Sequence, residues 1–152
     1  MIYFDNAATT FPKPQSVLKA MSQAAANFGA NPGRSGHSLS IKTSEKIYGV
    51  REKAAKFFGA EPENVVFAFN CTHALNMAIK GSLKSGDHVV ISQLEHNSIR
   101  RPVHALNSTG QVTYTTASVR PDNPDATAAS FERAIRRNTT AVICTHASNV
   151  TG

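Results

Sequence analysis

The sequence contains no tryptophan and only three tyrosines among its 152 residues, and its aromatic residues are not interleaved with basic ones. A stacking platform for single-stranded nucleic acid is therefore not indicated. No apolar run approaches the roughly 18 residues that a membrane-spanning helix needs. The first six residues also lack the basic segment and apolar stretch of a signal peptide, so we expect a cytoplasmic protein with no membrane partner.

Metal-binding and nucleotide-binding patterns are missing as well. The six histidines show no zinc-helix spacing, and the chain has no CxxC pair, P-loop or GxGxxG motif, so no metal is expected. The two cysteines, Cys71 and Cys144, stand in dissimilar contexts and indicate free thiols in a reducing compartment. Cys144 ends an apolar run, which favours a buried structural thiol.

The net charge of +6 comes from 16 basic and 10 acidic residues. One interpretation is an anionic partner such as nucleic acid or an acidic protein, and the other is a solvated basic surface. The basic residues are scattered, with Arg100-Arg101 and Arg136-Arg137 as the adjacent pairs. This scatter favours the solvated surface, so nucleic acid is not expected as a partner.

Hydrophobic periodicity predicts an N-terminal arm with helices, followed by alternating strands and helices. Apolar residues at helical spacing predict one helix over about 15–28 and a second helix capped by Ser38 or Ser40. The apolar face of that second helix is predicted to be Ile47, Val50, Ala54 and Phe57. Further helices are predicted at 74–79, 101–107 and 131–135, strands at 65–69, 88–92, 112–116 and 140–144, and a loop at 121–126.

Alternating strands and helices are typical of an α/β domain with a mostly parallel sheet. We expect the arm and helices of residues 1–60 to be followed by the α/β part of residues 61–152. Three polar segments, 70–73, 95–98 and 146–150, each follow a predicted strand directly. Because ligands of such sheets bind beyond the carboxyl ends of the strands, these segments are predicted to converge at one edge.

Each of these segments has a functional and a plain structural interpretation. The turn at Cys71 and Thr72 can bind phosphate through unpaired N–H groups at a helix N-terminus, or Thr72 can be an ordinary N-cap. His96 can stack on an aromatic ligand and transfer protons, or it can pack or cap within a loop. Asn149 can donate to a ligand oxygen, or it can form a turn.

The loop at 31–37 is a fourth candidate. It can be a mobile substrate loop that begins at Asn31, with Arg34 or His37 facing an anion, or it can be a plain surface turn.

Seven motifs occur in order and together resemble the class V aminotransferase family, specifically its cysteine desulfurases and selenocysteine lyases. They are YFDNAATT (3–10), NPGRSGH (31–37), ENVVF (63–67), THALN (72–76), GDHV (86–89), EHNS (95–98) and HASNVTG (146–152). The resemblance implies fold type I of the enzymes that use pyridoxal 5'-phosphate (PLP). That fold has a large α/β domain with a mainly parallel sheet, a smaller C-terminal domain, and a homodimer with active sites at the interface.

The resemblance also implies roles for individual residues. Cys71 and Thr72 match the phosphate-binding turn, His96 matches the histidine that stacks on the pyridine ring and assists proton transfer, and Asn149 matches the asparagine that bonds the ring's phenolic oxygen. Asn31, Arg34 and His37 match a loop lining the substrate entrance. Two departures stand out: Cys71 occupies the place of a smaller residue, and His73 stands where the family often has glutamate.

Several parts of the family pattern do not occur in this sequence. They are the aspartate that pairs with the pyridinium nitrogen, the Schiff-base lysine, the arginine that binds the substrate carboxylate, and the persulfide-forming cysteine. None of the eight lysines follows a predicted strand. We therefore expect an incomplete large domain, marginal stability or self-association, weak non-covalent contact with PLP, and no turnover by this chain alone.

The function implied for the parent protein is conversion of L-cysteine to L-alanine with the sulfur left on the enzyme. Three other class V activities stay open: selenocysteine lyase, aminotransferase and epimerase. A non-catalytic basic binding module is the alternative from a different class.

Overall fold

The computed structural model describes residues 2–6, 8–33, 36–148 and 150. The chain divides into two compact units, residues 1–67 and residues 68–152. Among the described residues, no helix is both long and apolar enough to cross a lipid bilayer. The expected boundary at residue 60 stays a prediction about domain organisation.

The first unit consists of two α-helices and a short 3-10 helix. Helix α1 covers Gln15–Asn27, helix α2 covers Ser38–Phe58, and the 3-10 helix covers Pro62–Asn64. Tyr48 joins the last two elements by donating its hydroxyl to Glu63 Oε1 at 2.8 Å. Gly59 ends α2 with φ at +65°, the left-handed conformation that favours glycine after a helix. The two predicted helices of the arm are therefore confirmed.

Two details of the α2 prediction are wrong. The N-cap is His37, whose Nδ1 accepts the Ser40 N–H at 3.2 Å, rather than Ser38 or Ser40. The predicted apolar face is largely exposed, with Phe57 at 82% and Val50 at 44%, whereas Ser40, Thr43 and Ala55 are the buried residues of the helix. Periodicity identifies which residues share a face of a helix, but burial requires another element that covers that face.

The apolar run at 65–69 is not a strand, which is a second correction. The backbone there has no ladder pairing, and Phe69 lies in a bend. Val66 and Phe69 are 70% and 92% exposed. A strand exists only when a neighbouring strand accepts and donates its backbone hydrogen bonds. In the described part of the chain, the strands come from residues 87–143 alone.

The second unit alternates helices and strands. Its elements are α3 (Cys71–Ser82), β1 (Asp87–Ser92), α4 (Asn97–Ser108), β2 (Val112–Ala117), α5 (Pro124–Ala134) and β3 (Thr139–Ile143). The sheet order is β2-β1-β3, and both pairings are parallel. The predicted α/β class and parallel sheet are confirmed, with α3, α4 and α5 as the flanking helices.

All three helices of this unit begin before their predicted first residues, and α4 and α5 differ most. Helix α4 begins at Asn97 instead of Arg101 because His96 caps it. Helix α5 begins at Pro124, inside the predicted loop at 121–126, with the Asn123 side chain accepting the Ala126 N–H. Proline suits the first turn of a helix, where its missing N–H has no intrahelical acceptor.

The core explains why β1 is the central strand. Val89 and Ile91 pack with Ile79, Ile99 and Val103 on one face of the sheet. Val90 points to the other face, where it packs with Ala117 and Ala134 of the neighbouring elements. This alternation buries the strand on both sides, as its continuous apolar sequence predicts.

Cys144 follows β3 and is exposed, so the predicted buried thiol is wrong. Strand β3 lies at an edge of the described sheet, and its residues alternate between half-buried and exposed. The side chains of an apolar run are therefore less buried in an edge strand than in a central strand.

Candidate functional site at the carboxyl ends of the strands

The two strands that follow β1 in the chain are added on opposite sides of it, so the strand order reverses between β1 and β3. From β1 the chain passes through α4 to β2 on one side, and then through α5 to β3 on the other side of β1. Such a switch point leaves a crevice beyond the carboxyl ends of the two strands, where ligands of α/β sheets bind. The segments that leave these strand ends are 93–96 and 144–148.

A cavity of about 460 Å³ lies at this crevice. Leu94, Glu95 and His96 line it from the segment after β1, and Ser148 and Val150 line it from the segment after β3. The predicted convergence of segments 95–98 and 146–150 is therefore confirmed. Asn149, predicted to contact a ligand oxygen, lies outside the described residues.

A second cavity, of about 450 Å³, brings the third segment to the same place. Thr72 and Lys80 line it from α3, and His96 and Arg101 line it from α4 and its cap. His96 lines both cavities. The segments 70–73, 95–98 and 146–150 thus meet around His96, although the first of them does not follow a strand.

The start of α3 is organised by two side chains. Asn70 is the N-cap, and its Oδ1 accepts the His73 N–H at 2.9 Å. The His73 ring reaches back, stacks on Phe69 at 5.2 Å between centroids, and accepts the Phe69 N–H at Nδ1 over 3.4 Å. In a capping box the ring would accept the N–H of the N-cap itself, whereas the His73 ring accepts that of the preceding residue. The role left open for His73 is structural in this chain.

Thr72 is consequently not the N-cap, which excludes the plain structural interpretation given for it. The Ala74 N–H bonds to the Asn70 carbonyl, and the Asn70 side chain takes the His73 N–H. Helix geometry leaves the N–H groups of Cys71 and Thr72 without an intrahelical acceptor. They stand at the positive end of the helix dipole, where anions are stabilised.

His96 caps α4, as its structural interpretation predicts, and its role toward a ligand stays a prediction. Its Nδ1 accepts the Ser98 N–H at 3.1 Å and lies 2.9 Å from Ser98 Oγ, so the ring caps α4. The ring is nevertheless exposed and lines both cavities. An acceptor role for Nδ1 places the proton of the neutral ring on Nε2, which makes Nε2 the donor that His96 can offer to a ligand.

Glu95 is a site residue that the sequence pattern did not single out. Its side chain is 6% exposed and accepts hydrogen bonds from both strand ends. Ser92 Oγ donates to Oε1 at 2.5 Å, and Thr145 donates its N–H to Oε1 at 2.7 Å and its hydroxyl to Oε2 at 2.9 Å. Its place between a strand and a histidine was the available signal, but only the fold shows its partner fifty residues away.

The basic residues are also less scattered in space than in sequence. Lys80 and Arg101 line the cavity between α3 and α4, and Arg100 lines the cavity at the strand ends. A third cavity, of about 390 Å³, is lined by Arg100, Arg101 and His104 beside β2. The Arg100-Arg101 pair was visible in the sequence, and the tertiary structure adds Lys80 to it.

The predicted substrate loop belongs to the first unit. Asn31 accepts the Ser40 hydroxyl at its carbonyl oxygen over 2.9 Å, and His37 caps α2. Arg34 lies outside the described residues. The roles assigned to Asn31, Arg34 and His37 stay predictions.

Comparison with known proteins gives a consistent result. A family model described as Aminotransferase class-V matches residues 2–152. A probable cysteine desulfurase of Methanothermobacter thermautotrophicus is 33% identical over 99% of this chain and 37% of its own length. The chain therefore spans a little over a third of the curated relative.

Solved structures agree. The apo cysteine desulfurase from Thermococcus onnurineus NA1 has a TM-score of 0.83 and 30% identity, over 97% of this chain and 37% of that one. A structure of C-DES, with glycine covalently linked to its PLP cofactor, has a TM-score of 0.73 and 23% identity, over 88% of this chain and 35% of that one, and so shows a shared fold.

Proposed function

The chain belongs to the class-V aminotransferase family, and we propose that it supplies the phosphate-binding and ring-binding walls of a PLP site in a cysteine desulfurase. The observation that carries the proposal is that two neighbouring cavities share His96. Thr72 lines one of them, and the segment after β3 lines the other. The names of its relatives supply the reaction.

The phosphate end of PLP fits the start of α3. A phosphate group is stabilised by N–H groups at a helix N-terminus, by a nearby hydroxyl and by cationic side chains. The N–H groups of Cys71 and Thr72 and the Thr72 side chain meet the first two requirements. Lys80 and Arg101, which share the cavity with Thr72, add positive charge at the same place.

The ring end of PLP fits the neighbourhood of His96. An imidazole held by its Nδ1 against the backbone of α4 presents its faces and Nε2 at a fixed place, as a stacking partner must. We propose that His96 orients the ring and holds a proton at Nε2. Asn149 is proposed as the contact to the ring's phenolic oxygen, from the family resemblance alone.

When bound, PLP supplies an electron sink that lets bonds at the α-carbon of an amino acid break. The residues of this chain anchor the phosphate, orient the ring and hold a proton beside it. The proposed reaction of the whole protein converts L-cysteine to L-alanine and leaves the sulfur on an enzyme thiol. We also propose a homodimer and a cytoplasmic location.

Titration of the isotope-labelled chain with PLP tests the binding walls. We expect the amide signals of Cys71 and Thr72 and the ring signals of His96 to move together. Inorganic phosphate should move only the first two, and pyridoxal without phosphate should bind much more weakly to both. If the signals of Thr72 and His96 do not shift when PLP is added, the proposal is overturned.

A matched pair of variants tests the anchor. Thr72→Val removes the hydroxyl while keeping the shape of the side chain, and Thr72→Ser keeps the hydroxyl. We expect about a tenfold loss of PLP affinity in the first variant, the usual worth of a hydrogen bond to a charged group, and a much smaller change in the second. Salt-sensitive binding to duplex DNA with no response to PLP would favour the basic binding module instead.

The desulfurase activity needs a separate test. The gene should be sequenced beyond codon 152, and the full product of its reading frame assayed for alanine formed from L-cysteine. Formation of alanine with sulfur bound to the protein supports the proposal. A full-length product that exchanges amino groups between amino acids and 2-oxo acids, without releasing sulfur, would contradict it.

A further inference from the structure

The Glu95 carboxylate joins two segments that the sheet itself does not hold together. The ladder between β1 and β3 ends at the pair Ile91 and Ile143. Beyond that pair the ladder no longer joins the two segments, and the Thr145 N–H donates to Glu95 Oε1 at 2.7 Å. The side chain thus extends the connection of the two strands past the end of the ladder.

The arrangement is specific because the carboxylate is buried. A carboxylate removed from water is destabilised unless hydrogen-bond donors replace the lost solvent. At 6% exposure, Glu95 receives three donors, one from Ser92 at the end of β1 and two from Thr145 beyond β3. Displacing either segment would leave the charge without those donors, so the carboxylate holds both segments in one relative position.

The two segments are the two walls of the crevice. Glu95 immediately precedes His96, and Thr145 lies three residues before Ser148, which lines the same cavity as His96. We propose that Glu95 is a positioning residue that sets the separation between the His96 wall and the wall formed by 144–148. The proposal rests on the proposed PLP site and adds a residue that acts through others rather than by touching the ligand.

Three substitutions separate geometry from charge. Glu95→Gln has nearly the same length, and its amide can bond the same three partners once the Thr145 hydroxyl turns to accept. Glu95→Asp keeps the charge but is one methylene shorter, so it cannot reach both segments. Glu95→Ala removes every bond. A positioning role predicts that Gln stays close to the unmodified chain while Asp and Ala both fail.

The control is Glu132→Gln. Glu132 lies on α5 in the same unit, is exposed, and loses the same charge on substitution. It should behave as the unmodified chain does in every measurement.

The first readout is amide hydrogen exchange at Thr145. We expect protection to fall about tenfold or more in Glu95→Asp and Glu95→Ala, as loss of one hydrogen bond implies, and by a small factor in Glu95→Gln. This readout needs no ligand. Unchanged protection in Glu95→Ala would mean that the carboxylate does not hold the 144–148 segment, and would overturn the inference.

The second readout measures ligand affinity separately at the ring end and at the phosphate end of the proposed site. Affinity for PLP read at His96 should weaken about tenfold in Glu95→Asp and Glu95→Ala. Affinity for inorganic phosphate read at the Thr72 amide should stay within about twofold in all variants, since the three hydrogen bonds of the Glu95 side chain go to Ser92 and Thr145 and not to α3. A role in which charge alone matters predicts the reverse order, with Asp retained and Gln lost, and that result would overturn the inference.

The outcomes keep the two proposals apart. If PLP moves neither Thr72 nor His96 in the unmodified chain, the proposed PLP site fails while the exchange result at Thr145 still stands. If PLP binds equally well to all Glu95 variants, the site stands and the positioning role fails. Thr145→Val removes one of the three bonds and should give an intermediate loss of PLP affinity at His96. This variant keeps the positioning role testable if Glu95→Ala does not fold.

Discussion

His88 in β1 lies with its Nδ1 2.8 Å from Thr139 Oγ1 in β3. The other ring nitrogen, Nε2, lies 2.9 Å from Thr115 Oγ1 in β2, so the ring bridges all three strands of the described sheet. The side chain is fully buried, at 0% exposure. A polar ring at the centre of the sheet is tolerated because both of its nitrogens have partners.

This bridge makes the stability of the second unit depend on pH. Burial, followed by the positive charge of Arg136, lowers the pKa of His88 from its ordinary value of 6.5. As the pH falls, His88 therefore becomes protonated in the unfolded chain before it does in the folded chain. Stability should be constant well above pH 6.5 and should fall as the pH drops below it, until the lowered pKa of the folded state is reached.

Thermal unfolding followed between about pH 8 and about pH 5.5, the range in which histidine titrates, measures this effect. His88→Gln keeps partners for both threonines without a titratable group, so its unfolding midpoint should lose part of the acid dependence. His104→Gln, at an exposed position, serves as the control and should keep it. Equal acid dependence in His88→Gln and the unmodified chain would show that another group is responsible.

Cys144 should be a slow nucleophile at neutral pH. Although exposed, it is partly desolvated, and that desolvation together with the Glu95 charge raises the pKa of its thiol above 9.0. In a Cys71→Ser background, the rate of alkylation should rise with pH to a midpoint above 9.0 because the thiolate is the reacting form. Glu95→Gln should move that midpoint partway back, and an unchanged midpoint would contradict the contribution of Glu95.

The cap of α3 should contribute measurably to stability. Asn70→Ala removes the bond to the His73 N–H and should cost about 1 kcal/mol of unfolding free energy in urea titration. Asn70→Ser and Asn70→Asp retain an acceptor and should cost much less. If all three variants unfold alike, the capping bond is not a source of stability.

The isolated chain should self-associate through its exposed apolar side chains. Phe57 and Phe58 contact each other edge to face at 5.0 Å between centroids and are 82% and 77% exposed. Exposed apolar side chains of this size lower the free energy of association when another surface covers them. Sedimentation velocity should show a mass that grows with concentration, and the double variant Phe57→Ser with Phe58→Ser should reduce it.

Lys56→Ser, on the neighbouring position of the same helix, is the control and should leave association unchanged. A concentration-independent monomer with a cooperative melt would contradict the prediction.

The order of elements in the second unit was predictable because each one carries a local pattern. The run before Ser92 is continuously apolar, and the helix after Cys71 has apolar residues at helical spacing. Since parallel strands end on the same side of a sheet, the meeting of the segments after β1 and β3 followed from order alone. The Thr72 segment follows no strand, and it reaches His96 through the packing of α3 against α4. The family resemblance supplied the names of the roles.

The sequence by itself determined the α/β class, the helix and strand order of the second unit, and the meeting of the two segments that follow β1 and β3. Only the tertiary structure decided that 65–69 is unpaired, that Cys144 is exposed, and that Glu95 holds Thr145 across fifty residues. Periodicity and turn residues act within a few positions of the chain. Pairing, burial and the partners of a buried carboxylate depend on which distant elements come into contact, and folding alone brings those elements together.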